Sequence, residues 1–215
     1  MKGNRFAPKA ARPLVLIAGP KHSGKTSAGK ALARLWEQGA DGPRRGAAVF
    51  IDLDELVESR TGKSPRILYR EGPDRFRKAE AEALRSLFED VPPEGGAIIA
   101  AAGGGLADNR EALEMLKQRP AVLIVYLEVS AETAWERIRA AADRTGELPP
   151  FLNTENPQET HRLIHEHRGR IYREMADTTV KAGAAPEETA AAILQAIALV
   201  RSVPPGPGKR PEKRW

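Results

Sequence analysis

The segment that most constrains the fold spans residues 19–26 and reads Gly-Pro-Lys-His-Ser-Gly-Lys-Thr, which matches the pattern G-x-x-x-x-G-K-[ST]. An apolar run, Leu14–Ala18, comes directly before it, and a helix-like stretch over residues 27–37 follows it. In the order strand, loop, helix, the glycines let successive backbone N–H groups turn inward toward phosphate oxygens, and the helix N-terminus adds its positive dipole end. The pattern therefore predicts a site for a nucleoside triphosphate rather than an ordinary glycine-rich turn.

Two side chains at the end of this segment have distinct expected roles. Lys25 would reach the β- and γ-phosphates, and the hydroxyl of Thr26 would coordinate Mg²⁺. The residues that we expect to hold the nucleotide belong to the loop and the first helical turn: Gly19, Lys21, Ser23, Gly24, Lys25, Thr26 and Ser27.

Further apolar runs alternate with helical stretches along the chain. Residues 47–51, 97–101 and 121–127 are continuously apolar, as parallel strands covered on both faces must be, and Thr178–Lys181 is a weaker fifth candidate. The helical stretches cover residues 75–89, 109–117, 131–142, 159–175 and 186–200. The alternation predicts an α/β fold, a doubly wound parallel five-stranded sheet flanked by helices, with ligands at the carboxyl ends of the strands.

The charge of the chain is concentrated at its ends. Nine of the 34 basic and one of the 29 acidic residues lie in segments 1–13 and 201–215, so residues 14–200 carry a net charge of −3. We expect both ends to be disordered extensions of a single domain over residues 14–200, because the later one is rich in proline and glycine. A basic tail can contact nucleic acid, but aromatic residues are not interleaved with the charges, which favours a solubilising role and no nucleic-acid partner.

Cysteine is absent from the sequence, which excludes disulfides and thiolate metal sites and is consistent with a cytoplasmic protein. The apolar run before the phosphate loop is too short for a membrane span or a signal-peptide core. We therefore expect no membrane partner.

Acidic residues and glycines follow the second and third predicted strands. Asp52 and Asp54 lie two apart on an extended segment, so both side chains can face one cleft, where one carboxylate organises Mg²⁺ and the other accepts a hydroxyl proton. The alternative is a helix N-cap aspartate with a second acid in its first turn. Gly103, Gly104 and Gly105 permit a close backbone approach to a ligand, although a flexible turn is the competing explanation.

Two arginines in helical settings could bind a substrate carboxylate. These are Arg77 and Arg168, and Glu80 lies on the same helix face as Arg77, where it could hold that guanidinium in place. Taken singly, each arginine is also compatible with a solvated surface position.

In this order the motifs resemble the shikimate kinase family over about residues 14–176. The resemblance rests on the phosphate loop, the Asp-x-Asp pair, Phe76-Arg77 with Glu80, the three glycines, the stretch 127–130 and the late Arg168, Tyr172 and Ala176. It implies a small P-loop enzyme with a mobile lid that transfers the γ-phosphate of ATP to the 3-hydroxyl of shikimate.

The resemblance also implies roles for individual residues. Asp54 would hold the substrate hydroxyls and assist deprotonation, and Asp52 would support Mg²⁺. The carboxylate would be clamped by Arg77 and Arg168, and the ring would contact the three glycines. Arg137 occupies the place of the residue that packs on adenine. Lys25 would act directly on the transferring phosphate.

The sequence departs from the family in the lid, which we place at about residues 143–158. Pro149 stands where the family has an arginine that closes over the transferring phosphate, and proline supplies neither charge nor a donor. The lid is also about five residues longer by our count along the chain. Arg144 is the nearest substitute, and we expect it to be catalytic. Gly72-Pro73 stands where the family has Gly-Glu.

Three alternatives remain open on the sequence. The chain could phosphorylate another hydroxylated small molecule, such as gluconate or a nucleotide; it could bind nucleotide without kinase activity; or it could be an ATPase that contacts nucleic acid through its tails. We expect a monomer that acts on shikimate or a related hydroxy acid.

Overall fold

The structure, a computed structural model, describes residues 13–38, 47–89, 97–119, 121–183 and 185–202. Its centre is a five-stranded sheet in the order β2-β3-β1-β4-β5, and all of its pairings are parallel. The strands are β1 (Leu14–Ala18), β2 (Ala48–Asp52), β3 (Ala97–Ala101), β4 (Val122–Glu128) and β5 (Thr178–Lys181).

Helices cover both faces of this sheet. Eight α-helices connect or follow the strands within the described ranges: α1 (Lys25–Gln38), α2 (Leu53–Thr61), α3 (Pro65–Glu71), α4 (Pro73–Glu89), α5 (Arg110–Lys117), α6 (Ala131–Thr145), α7 (Pro157–Met175) and α8 (Pro186–Ser202). Two 3-10 turns, Leu106–Asp108 and Pro150–Leu152, complete the set. The doubly wound α/β fold predicted from the sequence is confirmed.

The buried side chains form two clusters, one on each face of the sheet. Alternate residues of β1 point to opposite faces, so Leu16 joins the cluster covered by α2, α4, α5 and α7, while Ile17 joins the cluster covered by α1 and α8. Strands β1 and β3 are buried along their whole length, and β4 is buried up to Leu127, which explains their apolar sequences. In the part of the chain that the structure describes, no helix combines the length and the apolar character needed to cross a bilayer.

The edges of the sheet differ from the prediction. Strand β2 was expected to be buried on both faces, but it is an edge strand, and Val49 is 44% exposed. Helix α8 continues through Ser202, beyond the predicted start of the basic tail at residue 201. The rest of that tail and residues 1–12 lie outside the described residues.

Helices α2 and α3 begin and end at local signals. Asp52 caps α2 by accepting a hydrogen bond from the backbone N–H of Asp54, and Gly62 ends the helix at φ 69°, a left-handed conformation that glycine adopts without strain. Ser64 then caps α3, and Pro65 occupies its first turn. These two helices extend from the carboxyl end of β2 and form one wall of the region above the sheet.

The loop after β3 approaches the phosphate loop closely at Gly104. A Cβ on Gly104 would lie 2.8 Å from the backbone nitrogen of Lys21, whereas a Cβ on Gly105 would meet nothing closer than 3.7 Å. The approach of the two loops therefore requires a glycine at position 104.

We predict that Gly104→Ala destabilises the protein by about 1–3 kcal/mol, because the new methyl group must displace backbone atoms of the phosphate loop. Gly105→Ala is the matched control and should leave stability nearly unchanged. Denaturant unfolding of both variants measures the difference, and equal stabilities would contradict the close approach. The same comparison of ATP affinity should show weaker binding for Gly104→Ala.

Candidate active site

The phosphate loop leaves β1 through strained backbone. Gly19 has φ 153° and a Cβ there would lie 2.6 Å from the carbonyl oxygen of Leu127, and Gly24 has φ 94°. His22 also has a positive φ, 60°, the only such value for a non-glycine residue in the described ranges. Lys25 is buried within this loop and donates hydrogen bonds from Nζ to the carbonyls of Gly19 (3.0 Å) and Pro20 (2.8 Å).

The electrostatic environment of Lys25 reflects its burial. Desolvation is the main cause that lowers the pKa of its ammonium to about 8; Lys21 acts in the same direction, and Asp54 and Asp52 oppose it. A phosphate group entering the loop would replace carbonyl dipoles with formal negative charge. A loop that holds a buried ammonium on neutral carbonyls is suited to bind a polyanion.

Thr26 and Asp52 lie side by side at the end of the phosphate loop. The Thr26 hydroxyl donates to Asp52 Oδ2 at 2.7 Å, and Asp52 Oδ1 accepts from the N–H of Asp54 at 3.0 Å. The helix-cap alternative for Asp52 is thus correct, and it does not exclude the other role, because only one carboxylate oxygen serves as the cap. A hydroxyl and a carboxylate oxygen at this spacing are the hard ligands that Mg²⁺ prefers, so these residues fit the ion.

A cavity of about 520 Å³ lies over the phosphate loop. Its lining contains every expected loop residue except Gly19 and Ser23, together with Asp52, Asp54, Gly104, Arg137 and Arg144. Ser23 is buried beneath the loop, and its hydroxyl has no hydrogen-bond partner among the described residues. The structure thus brings the nucleotide-side predictions together in one place.

Helix α6 contributes two arginines to this cavity. Arg137 donates from Nη1 to the carbonyl of His22 at 3.1 Å. Burial, followed by the cations Lys21, Lys25, Arg144 and Arg137, lowers the pKa of His22 to about 4, which shows that both arginines of α6 lie within electrostatic range of the loop. Arg137 also lines a larger neighbouring cavity of about 900 Å³ that extends to Ser130, Thr133 and Lys181.

A third, smaller cavity of about 120 Å³, hereafter the acceptor cavity, lies beside the first. It has a floor of loop backbone, a wall from α3 and α4 and a cover from the lid. Its lining residues are Lys21, Asp54, Pro65, Arg66, Tyr69, Phe76, Gly104, Gly105, Pro149, Pro150, Phe151 and Arg168. Lys21, Asp54 and Gly104 line both this cavity and the first one, so the two spaces meet at these residues.

Arg168 is the buried cation of the acceptor cavity. Its Nε and Nη2 donate to Asp108 Oδ2 at 3.1 and 2.7 Å, and its Nη1 donates to the carbonyl of Gly104 at 3.1 Å. The ring of Phe151 lies 5.1 Å from its Cζ. Tyr172, one turn further along α7, donates to the same Gly104 carbonyl at 3.0 Å. These contacts fix the guanidinium at the cavity wall.

Glu80 is fully buried behind Gly103. Its Oε2 accepts from Asn109 Nδ2 at 2.9 Å, and its Oε1 has no hydrogen-bond partner among the described residues. A Cβ on Gly103 would lie 2.5 Å from Glu80 Oε1 and 3.0 Å from Asp54 Oδ1, so both carboxylates pack against this glycine. Burial raises the pKa of Glu80 to about 7, against the opposing effect of the Asn109 hydrogen bond.

Arg77 lies apart from this arrangement. Its Nη2 donates to Asp74 at 2.7 Å, it is not a lining residue of the acceptor cavity, and Glu80 does not hold it. The expectation that Glu80 orients Arg77 is wrong in this structure, because the Arg77 guanidinium pairs with Asp74, while Glu80 accepts from Asn109. Asn109 instead bonds the backbone carbonyl of Arg77 at 2.8 Å. Substrate binding by Arg77 would require its guanidinium to leave Asp74, and it stays a prediction.

The lid is an apolar cover. Pro149 is buried, and Pro150–Leu152 forms a 3-10 turn that places Phe151 over Arg168. Pro149, which stands where the family has an arginine, therefore presents an apolar ring to the acceptor cavity. Arg144 lies about one turn earlier, at the end of α6, and faces the first cavity.

Three residues of the site were not predicted: Arg66, Asp108 and Asn109. Asp108 and Asn109 lie in the segment that follows β3 and the three glycines, and a segment after a parallel strand is a signal that could have identified them. Arg66 lies in the first turn of a seven-residue helix, after the helix-start signal Ser64-Pro65. That signal predicts a helix but says nothing of the cavity.

We predict that Glu80 makes stability depend on pH. Folding raises the pKa of Glu80 from 4.5 to about 7. The protonated side chain therefore makes its full contribution to the free energy of unfolding below pH 4.5, and that contribution is lost as the pH rises through 7. Glu80→Gln stays neutral and should therefore be more stable than the parent at pH 8, by up to roughly 3 kcal/mol, and equal to it near pH 4.

Denaturant unfolding at several pH values checks this prediction. Glu82→Gln, an exposed position on the same helix, is the matched control and should shift stability equally at all pH values. A pH-independent difference between Glu80→Gln and the parent would show that the Glu80 carboxyl ionises normally.

Comparison with known proteins places these features in a family. The protein-family model for shikimate kinase matches residues 21–198. The shikimate kinase of Marinomonas sp. (strain MWYL1) is 30% identical over 187 residues, which cover 86% of this chain and 92% of that protein. The shikimate kinase of Vibrio parahaemolyticus is 33% identical over 168 residues, 78% of this chain and 85% of the other.

Solved structures give the same result. The shikimate kinase from Acinetobacter baumannii in complex with shikimate superposes with a TM-score of 0.68 at 30% identity, covering 90% of this chain and 97% of that one. A gluconokinase from Sinorhizobium meliloti, with a TM-score of 0.51 and 20% identity, covers 88% of this chain and 95% of that one and shows a shared fold alone. With the family model matching most of its length, this chain belongs to the shikimate kinase family.

Proposed function

We propose that this protein transfers the γ-phosphate of ATP to the 3-hydroxyl of shikimate and releases ADP and shikimate 3-phosphate. The observation that carries the proposal is the junction of two cavities at Asp54, Lys21 and Gly104. A nucleotide held over the phosphate loop and a small acceptor beside Arg168 would meet at a carboxylate and a lysine. Positioning and charge neutralisation are the main contributions that phosphoryl transfer needs from a protein.

Asp54 is suited to receive the proton of the acceptor hydroxyl. It is largely buried, and desolvation, followed by the charge of Asp52, raises its pKa, while Lys21 and Lys25 oppose that rise. During the reaction the acceptor oxygen forms a bond to the γ-phosphorus, the bond from that phosphorus to the β,γ-bridging oxygen breaks, and the hydroxyl proton passes to Asp54. A raised pKa makes the carboxylate a better proton acceptor.

The nucleotide side is organised by the loop and α6. Lys25 would exchange the carbonyls of Gly19 and Pro20 for phosphate oxygens, and Arg137 stands between the first cavity and the larger one, where the base would lie. Thr26 and Asp52 would hold Mg²⁺, which when bound neutralises charge on the β- and γ-phosphates.

The acceptor side favours a carboxylate. Arg168 presents a buried, fixed guanidinium to the cavity, and a buried cation binds an anion more strongly than a neutral sugar. Its present partner Asp108 is 33% exposed, and the guanidinium also donates to the carbonyl of Gly104. Gluconate also carries a carboxylate, which makes it the sharpest alternative acceptor to test.

Arg144 is our candidate for the charge that Pro149 does not supply. It faces the first cavity from the end of α6, next to the helix terminus at Gly146, whose φ of 76° allows the chain to turn into the lid. The intact set of Lys25, Thr26 and Asp54 argues against a protein that binds nucleotide without activity.

We further propose that the enzyme is cytoplasmic and monomeric, with one catalytic domain over residues 14–200 and basic extensions that have no part in catalysis. If the tails bound nucleic acid, removing residues 203–215 would abolish a steeply salt-dependent affinity.

The test is ADP release by the purified protein with ATP and Mg²⁺, measured with and without shikimate. We expect turnover that depends on shikimate, because the acceptor cavity combines Arg168 with the base Asp54. Gluconate is the matched acceptor control and should give little turnover. Turnover with gluconate and none with shikimate would overturn the acceptor assignment, and ATP binding without turnover on either would point to an inactive relative.

We predict that Asp54→Asn lowers kcat by about 10²–10⁴-fold and leaves ATP affinity unchanged, because it removes the proton acceptor and keeps the shape of the side chain. In the parent, only the ionised carboxylate is active, so kcat should rise with pH through the raised pKa of Asp54. Steady-state kinetics over a pH series measure both effects. Unchanged turnover in Asp54→Asn would exclude the base role.

A further inference from the structure

Arg66 is a cation of the acceptor cavity that the proposed chemistry has not used. It lies in the first turn of α3, whose start is set by the Ser64 cap and Pro65. From there its side chain reaches the cavity wall, on which Asp54 and Arg168 also lie. The side chain is 34% exposed, so the guanidinium is partly withdrawn from water.

The contacts of Arg66 run to the beginning of the lid. Its Nη2 donates to the backbone carbonyls of Leu148 at 2.9 Å and Glu147 at 3.3 Å, and its Nη1 pairs with the Glu147 carboxylate. Arg70, one turn later on α3, also pairs with that carboxylate, but it makes no described bond to lid backbone and does not line the cavity. Arg66 therefore binds both the backbone and the carboxylate of the lid, whereas Arg70 binds only the carboxylate.

The lid needs a donor at this point. Pro149 and Pro150 have no N–H groups, so this part of the lid cannot anchor itself to a neighbouring element through backbone donors. A side chain that donates to lid carbonyls can supply a polar anchor in addition to the packing of Pro149 and Leu152. Arg66 supplies it at Leu148, the residue before Pro149, and a guanidinium with a fixed fork can hold two carbonyls and a carboxylate together.

We propose that Arg66 is a positioning residue that docks the lid segment 147–152 onto α3 and so builds the cover of the acceptor cavity. When Leu148 is held, Pro149 packs inward and Phe151 lies over Arg168. The lid is then attached to α3, which forms a wall of the acceptor cavity. The acceptor's identity rests on the proposed function, whereas the docking contact does not.

The competing account treats Arg66 as an ordinary surface ion pair. Exposed pairs contribute little to stability, and Arg70 with Glu147 is such a pair, since the Arg70 side chain is 55% exposed. Arg70 therefore offers a control that removes the same charge from the same helix and the same partner. It leaves the carbonyl bonds and the cavity wall in place.

The experiment compares Arg66→Ala, Arg66→Lys and Arg70→Ala in the full-length protein. We expect Arg66→Ala to raise the KM for shikimate about tenfold, the effect of losing hydrogen bonds from a charged donor, with little change in the KM for ATP. Arg66→Lys should recover part of this loss, because it keeps the charge but not the fork. Arg70→Ala should stay within about twofold of the parent.

A second measurement does not depend on activity. Thermolysin cleaves before apolar residues, and Leu152 is buried when the lid is docked, so the rate of cutting at the Phe151–Leu152 bond, followed by mass spectrometry, reports undocking of the lid. We expect faster cleavage in Arg66→Ala than in Arg70→Ala at temperatures where both are folded by circular dichroism. Shikimate should slow cleavage in the parent.

The two readouts separate failure of the inference from failure of the proposed function. If Arg66→Ala matches Arg70→Ala in both kinetics and cleavage, or raises the KM values for shikimate and ATP equally, the docking role is overturned. If the parent shows no shikimate-dependent turnover, the proposed function fails, and the cleavage rates alone decide whether Arg66 docks the lid.

Discussion

The backbone of Gly104 is the contact on which both cavities depend. Its α-carbon lies against the backbone of Lys21, and its carbonyl accepts hydrogen bonds from Arg168 and Tyr172. A side chain at this position would separate the loop after β3 from the phosphate loop, and the wall shared by the nucleotide and acceptor cavities would be lost. Gly104, which has no side chain, therefore sets the separation of the two cavities.

Buried charge is the second constraint. Lys25, Glu80 and Arg168 are each withdrawn from water and held by hydrogen bonds, Lys25 within the phosphate loop and the other two by residues distant in sequence. Taking these groups out of water costs free energy that packing elsewhere must offset. In return, the charges are already oriented before substrates arrive, which is the electrostatic preorganisation that phosphoryl transfer uses.

The lid separates two tasks that one arginine would otherwise combine. In our proposals, Arg144 at the end of α6 supplies the charge that the lid position Pro149 lacks, and Arg66 on α3 attaches the lid to the substrate side. Pro149 and Phe151 then cover the acceptor with apolar surface. Excluding water in this way strengthens each electrostatic contact inside the cavity.

By itself, the sequence determined the parallel α/β sheet, the phosphate loop and the position of the site at the strand ends. These follow from local patterns: continuous apolar strands, glycines at strained turns, and acids directly after a strand. It offered α2 only as an alternative and did not predict α3, because both helices are short and depend on caps. It misjudged β2, because apolar composition does not distinguish an edge strand from an inner one.

Only the tertiary structure decided which charges are paired. Asn109 reaches Glu80 across 29 residues of sequence, and Arg66 reaches Leu148 across 82. Arg77, in contrast, pairs locally with Asp74. Pairing over such separations depends on how α3, α4 and the lid pack together, and no local pattern carries that information. The sequence therefore determined the chemistry available at the site, and the packing decided which side chains can perform it.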